Sequence, residues 1–309
     1  MSNSVKIFAP ASVANVGPGF DILGFALEEI GDHITLTKRD DQEIVIKVIG
    51  AELPLEPGNN VATVGLKSFC DHVGHQGGFD IRIEKNFKPG SGLGSSASSA
   101  AGAVFAANEL LKAGLSKEEL VSFALDGEEV ASKNRHADNI APCMLGGFVG
   151  VTSCDPFQYF SVPYPNDLKV LIIFPDVVIK TAEARKILPQ RISLSTGIRQ
   201  AGNMAGLVTG LTSHDYDLIS RSLQDAFAEP YRKQLIPHYE EVKALAKPHG
   251  SLGFSISGSG PAMFSFFRAK TDTSALQSEI ESIYEEAGIG LLFHESGINH
   301  KGAELLNVK

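Results

Sequence analysis

Hydrophobic and polar residues follow two rhythms along this chain, and the rhythms mark its elements. Through the first 90 residues the period is mostly two. "VKIFAP" (5–10), "HITLTKR" (33–39), "EIVIKVIG" (43–50) and "FDIRIEKNF" (79–87) are β-branched or alternating, with turn residues between them, and predict strands. One stretch among them, "NNVATVGLKSFCDHVG" (59–74), repeats its apolar residues at helical spacing instead. Farther on, the small-residue and leucine-rich "SSASSAAGAVFAANELLKAG" (95–114) predicts a helix closed by Gly114. Another helix follows in "SKEELVSFALDGEEVAS" (116–132). There Ser116 and Glu119 stand at capping-box spacing, and Leu120, Val121, Ala124 and Leu125 share one face.

The second half repeats the alternation with longer helices. "GGFVGVT" (146–152) and "KVLIIFP" (169–175) read as strands, and Thr181 to Lys247 is mostly helical, punctuated by Pro189, Pro230 and Pro237. "SLGFSISGSGPAMFSFF" (251–267) is strand, glycine loop and strand. "SALQSEIESIYEEAG" (274–288) is an amphipathic helix and "IGLLFHES" (289–296) a closing strand. The turn-rich "PYPND" (163–167) separates two strand-containing blocks, so the predicted domains are 1–165 and 166–309. The strands cluster in hairpin-like groups, which predicts an α+β fold rather than a doubly wound parallel sheet.

Composition narrows the classes of partner. A chain of 309 residues with 43% hydrophobic and 20% charged residues suits two globular domains with real cores. The net charge of −9, with no Lys/Arg run, argues against nucleic acid or an anionic membrane as the main partner, although not against a nucleotide. Three cysteines without a CxxC pair predict no disulfide framework and a reducing, cytoplasmic setting. "MSNSVKIFAP" lacks the apolar core of a signal peptide, and no run of about 20 apolar residues predicts a membrane span.

The candidate chemistry begins at "PGSGLGSSAS" (89–98), between a predicted strand and a predicted helix. A glycine-rich turn at a helix N-terminus presents unpaired N–H groups at the positive end of the helix dipole and lets the backbone curl around an anion. Ser95 and Ser96 add hydroxyls for phosphate oxygens or magnesium, and Lys88 adds charge at the mouth. The ATPase pattern GxxxxGK[ST] fails for want of a lysine before Ser95. The dinucleotide pattern GxGxxG fails at Ser95, where its third glycine belongs. Close packing of small residues is the competing structural explanation.

Three further stretches place polar groups among apolar neighbours. "APASVANVGPGFDILGFAL" (9–27) holds Asn15 and Asp21, which either satisfy a turn backbone or face a cleft, where a carboxylate receives an ammonium. "NRHADNIAPCMLGGFVG" (134–150) packs His136, Asp138 and Asn139 together, with Glu128 about two helical turns upstream as an oxygen ligand for a metal. Glu129 is barely distinguishable from Glu128 on sequence. "GFSISGSGPAMFSF" (253–266) reads equally as a tight hairpin or as a backbone wall over phosphates.

These segments in this order resemble the GHMP kinase superfamily, which includes galactokinases, homoserine kinases and mevalonate kinases. "PGSGLGSSAS" resembles its ATP-phosphate loop and "SISGSGPAMF" its third motif. "PASVANVGPGFDILGFAL", "HADNIAPCMLGGF", "TAEARKILP" and "EPYRKQLIP" are most similar to the homoserine kinases. The resemblance covers essentially the whole chain. It implies an N-terminal domain like ribosomal protein S5 domain 2, a ferredoxin-like C-terminal domain and an active site between them. The implied reaction is phosphorylation of the L-homoserine side-chain hydroxyl by ATP and Mg²⁺, a step towards threonine, in a homodimer. Another small-molecule kinase of the superfamily, acting on mevalonate or shikimate, and a non-catalytic ligand-binding regulator are the alternatives.

By the same resemblance, Asn15, Asp21, His136, Asp138 and Asn139 surround the amino and hydroxyl ends of the substrate. Arg185 and Arg232 hold its carboxylate, with Thr181 assisting. Pro89, Gly90, Ser91, Gly92, Leu93, Gly94, Ser95, Ser96, Ala97 and Ser98 hold ATP, and Ser96 and Glu128 hold magnesium. Asp138, Asn139 and Lys88 are the catalytic candidates. Several superfamily relatives pair an aspartate base with a lysine, and no equivalent pair stands in the matching segments. Asn139 cannot accept the hydroxyl proton, whereas an inward-facing Asp138 can. A loose transition state that releases the proton late needs no strong base.

Overall fold

The computed structural model describes residues 3–132 and 135–306. In the first half the chain runs β1 (Ser4–Ala14), β2 (Leu23–Lys38), β3 (Ile44–Ile49), α1 (Val61–Val73), β4 (Phe79–Glu84), α2 (Ser95–Leu111), α3 (Lys117–Ser132), α4 (Ile140–Leu145), β5 (Phe148–Cys154) and β6 (Phe157–Val162). The second half adds β7 (Leu168–Pro175), α5 (Thr181–Lys186), α6 (Leu194–Ser213), α7 (Tyr216–Ser222), α8 (Glu229–Arg232), α9 (Tyr239–Ala246), β8 (Gly253–Ile256), β9 (Met263–Arg268), α10 (Ser274–Glu286), β10 (Leu291–Ser296) and β11 (Glu304–Leu306).

The first sheet has the order β11-β1-β2-β4-β3, with β5 pairing β2 and β6 pairing β5. Its ladders are antiparallel except β3–β4, which α1 joins as a parallel crossover. The second sheet has the order β10-β7-β9-β8, all antiparallel, which is the ferredoxin-like arrangement. The mixture is α+β, as the clustering of strands predicts. β11, which the sequence reading missed, pairs with β1, so the end of the chain returns to the first sheet.

Strand periodicity decides which residues form the three cores. Phe79, Ile81 and Ile83 of β4, with Ile34 and Leu36 of β2, pack beneath α1–α4. On the other face, Phe25 of β2 meets Phe148 at 4.8 Å and Phe266 of β9 at 5.4 Å between ring centres. Both sheets therefore share one core, which holds the cleft between them rigid. β7 is buried on both sides: Val170 and Ile172 face that shared core, Leu171 and Ile173 the layer of α9 and α10.

Two local expectations resolve differently. The capping box of α3 forms as predicted, with Ser116 N–H donating to Glu119 Oε2 at 2.7 Å and Glu119 N–H returning to Ser116 Oγ at 3.4 Å. Helix α2, by contrast, does not run to Gly114. It ends at Leu111, and Lys112 takes the left-handed capping conformation at φ 54°. The Asn108 side chain bonds the Leu115 backbone in both directions, which fixes the turn beyond.

Candidate active site

The loop from β4 to α2 is clamped on both sides. Ser12 N–H donates to Leu93 O (3.0 Å), Ala262 N–H to Ser91 O (3.0 Å) and Ser257 Oγ to Gly92 O (2.6 Å). Gly90, Gly92 and Gly94 all have positive φ, and Gly94, the N-cap of α2, offers no side-chain acceptor. The first-turn N–H groups of α2 are thus left for a ligand at the positive end of the helix. The small residues of α2 also serve packing: a Cβ on Gly102 would lie 2.7 Å from Ile34 Cγ1 and 2.9 Å from Ala9 Cβ. Close packing thus explains the later small residues of "GSSASSAAG", while its first turn is free of a side-chain cap.

Gly94 is a tightly constrained position of the loop. A Cβ there would stand 2.2 Å from Ser12 Oγ and 2.7 Å from Asn139 Oδ1, at φ 68°. Gly94→Ala is expected to cost about 1–3 kcal/mol of stability. It should also weaken the binding of whatever ligand the loop holds, read as a raised KM for that ligand. Urea melts and steady-state kinetics check both.

Beneath the loop lies a pair that the sequence reading missed. Lys85 Nζ contacts Asp32 Oδ2 and donates to Ser95 O at 2.8 Å and Ser99 Oγ at 3.2 Å. Its side chain is 1% exposed and that of Asp32 0%. Burial pushes the lysine pKa down and the aspartate pKa up, and the mutual attraction opposes both shifts. The signal was available. Period two continues Phe79-Ile81-Ile83 to Lys85 and Ile34-Leu36 back to Asp32, and the His33↔Glu84 register brings the two side by side.

This loop forms one wall of a cavity of about 760 Å³ between the two halves. Pro89, Gly90, Gly92, Gly94, Ser95 and Ser96 line it. Ser91 and Leu93 instead give their carbonyls to the clamp, Ala97 packs in the core and Ser98 donates to Ala9 O at 2.8 Å. Lys88 is not at the cavity: it pairs with Asp176 at 2.8 Å, and both are about half exposed. Ser96 Oγ donates to Glu128 Oε1 at 2.9 Å, and burial pushes the Glu128 carboxyl up to about 7. Glu129 turns away to Arg135 at 3.2 Å, which separates the two glutamates. A carboxylate and a hydroxyl are hard oxygen donors, so this pair fits a magnesium ion.

At the other end the predicted polar groups converge. The turn after β1 holds Asn15 and Asp21 at φ 56°, with Asp21 N–H donating to Asn15 Oδ1 at 2.8 Å and Asn15 Nδ2 to Gly258 O at 3.0 Å. Arg185 of α5 pairs with both Asp21 oxygens at 2.9 and 2.8 Å. Its Nη2 also lies 3.1 Å from His136 Nε2. Burial lowers the His136 pKa, so a neutral ring accepting from Arg185 carries its proton on Nδ1.

Arg232 of α8 donates to Ala184 O at 3.2 Å and to Gly258 O at 2.8 Å. Asn139 accepts from Ser12 Oγ at 2.9 Å, and Thr181 Oγ1 lies 3.4 Å from Ser259 Oγ. Asp138 is buried, and desolvation, followed by the nearby Asp21 charge, pushes its carboxyl up to about 7. The 253–266 segment is a hairpin whose tip, Gly258 and Ser259, also lines the cavity. Asn59, Asn60 and Val61, with Leu53, Pro54 and Val130, close the end beside the glycine loop. Asn60 caps α1 and donates to Pro54 O at 2.7 Å; Leu53, Pro54 and Val130 carried no sequence signal.

An anion cradle facing a cluster of paired cations and carboxylates, across a cleft between an S5-like and a ferredoxin-like domain, defines a small-molecule kinase of the GHMP class. The sequence matches the GHMP kinases N terminal domain over residues 60–147 and the GHMP kinases C terminal domain over 207–286. It is 44% identical to a homoserine kinase of Chloroherpeton thalassium, over 89% of this chain and 92% of that one. It is 39% identical to a homoserine kinase of Pyrococcus abyssi, over 92% and 94%. The crystal structure of homoserine kinase from Cytophaga hutchinsonii superimposes with a TM-score of 0.93 at 40% identity, over 99% and 98%. A mevalonate kinase structure shares the fold, with a TM-score of 0.75 at 14% identity over 97% and 100%. The chain belongs to the homoserine kinase family of the GHMP kinases.

Proposed function

We propose that this protein transfers the γ-phosphoryl group of ATP to the side-chain hydroxyl of L-homoserine, giving O-phospho-L-homoserine, a step towards threonine. One observation carries the substrate assignment: Asp21, Arg185 and Arg232 stand together at one end of the cavity. A zwitterionic amino acid needs a carboxylate for its ammonium and planar guanidiniums for its carboxylate. Mevalonate and shikimate have no ammonium, so with them Asp21 would meet only Arg185, with which it already pairs.

The polyphosphate follows Gly90–Ser96, with the nucleoside towards Asn59–Val61. Ser96 and Glu128 hold magnesium, which when bound neutralises charge on the phosphates. His136, Asp138, Asn139 and Thr181 surround the other end of the substrate and orient its hydroxyl. The substrate oxygen bonds to the γ-phosphorus as the bond to the β–γ bridging oxygen breaks, and the hydroxyl proton leaves late, to the transferred phosphoryl oxygens. Positioning and charge neutralisation then supply most of the rate. Among the described residues no helix is long and apolar enough to cross a membrane. The enzyme works in the cytoplasm, as a homodimer.

ADP release measured with homoserine, mevalonate, shikimate and galactose tests the assignment; turnover with mevalonate and none with homoserine would overturn it. Asp138→Asn tests the proton's route. The expected result is a kcat loss of no more than about tenfold, below the 10²–10⁴ typical of a general base. A loss of several orders of magnitude with unchanged KM makes Asp138 the base.

A further inference from the structure

The turn that presents Asn15 and Asp21 also presents Phe20, on which the motif reading placed no role. The guanidinium carbon of Arg185 lies 5.3 Å from the centre of the Phe20 ring and that of Arg232 lies 5.2 Å from it. The two cations assigned to the substrate carboxylate thus pack on one aromatic ring. The turn that carries the ring is tied down on both sides of Phe20. Gln200 Nε2 donates to Pro18 O at 2.9 Å on one side, and Asp21 N–H donates to Asn15 Oδ1 on the other.

Two guanidiniums on one ring disfavour one another: burial lowers the pKa of Arg232 most, Asp21 opposes that shift, and the Arg185 charge adds to it. An anion between them would relieve the repulsion, but it would also satisfy the donors that a ligand carboxylate must find. Asp21 already engages Arg185 in this way. An aromatic ring attracts both cations through the negative face of its quadrupole and brings no formal charge that competes.

We propose that Phe20 is the positioning residue of the carboxylate subsite: its ring packs against both Arg185 and Arg232 and adds no negative charge of its own, and so sets the preference for an amino acid over the corresponding amino alcohol. The proposal rests on the assignment of those arginines to the homoserine carboxylate. It goes beyond that assignment in naming what keeps two like charges together.

The test uses the full-length enzyme with two substrates, L-homoserine and 3-amino-1-propanol, which keeps the hydroxyl and ammonium but lacks the carboxylate. Phe20→pentafluorophenylalanine keeps the ring's shape and removes its negative face; Phe20→Leu removes the ring, and Phe20→Tyr retains it. For the first two variants KM for homoserine should rise about tenfold, with kcat and KM for ATP within about twofold. Their kcat/KM for 3-amino-1-propanol should stay within about twofold, so discrimination falls about tenfold, while Phe20→Tyr keeps parental discrimination. Parental homoserine KM in the pentafluoro variant, or equal losses on both substrates, would overturn the proposal. If the parent enzyme itself does not prefer homoserine to 3-amino-1-propanol, the arginine assignment fails first, and the proposal with it.

Discussion

Asp32→Ala is expected to destabilise the protein by about 3–5 kcal/mol, read as a lowered urea midpoint with an unchanged slope. The cost does not come from losing an attractive contact alone. It comes from leaving the Lys85 ammonium, 1% exposed, without its counter-charge in the core. The double variant Asp32→Ala with Lys85→Met removes both charges and should recover most of that loss, because apolar replacements of a buried pair are often neutral or better. Activity should not recover with it. Lys85 also holds Ser95 O and Ser99 Oγ, so the first turn of α2 loses its tether and KM for ATP rises. Recovery of stability together with a parental KM for ATP would show the pair to be structural only.

The second large effect is at Glu128, where stability and activity should move in opposite directions. Its carboxyl is pushed by burial from 4.5 up to about 7. The folded protein therefore keeps a proton that the unfolded chain has released, and stability falls as pH rises through that window and stays lowered above it. The loss amounts to at most about 3 kcal/mol. Glu128→Gln carries no such charge, so at pH 8 without metal it should melt higher than the parent, and across that window its melting temperature should fall less than the parent's, the remaining fall coming from Asp138, whose carboxyl is also pushed up to about 7. Magnesium should raise the parent's melting temperature at pH 8 and leave the variant's unchanged. The kcat of the variant should drop on the order of a hundredfold or more, since a metal-stabilised charge is worth several kcal/mol. Equal activity in the two proteins would remove Glu128 from the metal site.

Local features of this chain were legible because local physics sets them. Period two marked most strands, Ser116 and Glu119 marked the start of α3, and the strand-glycine-helix order marked the loop that lines the cavity before any fold was known. The near misses have equally physical causes. Helix α2 stops short of Gly114 because Lys112 can itself take the left-handed cap, an option that residue preferences do not rank first. β11 is three residues long and gains its ladder only by meeting β1 from the far end of the chain.

What the sequence determined by itself is the inventory: a glycine loop before a helix, a carboxylate in a turn, a His-Asp-Asn cluster and arginines at 185 and 232. Tertiary structure decided which of these meet and which members of adjacent pairs matter. Glu128 rather than Glu129 reaches Ser96, because neighbours on a helix point about 100° apart and packing against α1 and α2 selects the face. Lys85 rather than Lys88 sits under the loop, because the inward alternation of β4 carries on to Lys85, just past its end, while Lys88 is already outside and paired with Asp176. Asp21 and Arg185 are 164 residues apart in sequence and 2.8 Å apart in space. No periodicity carries information over that separation; only the shared core between the two sheets does.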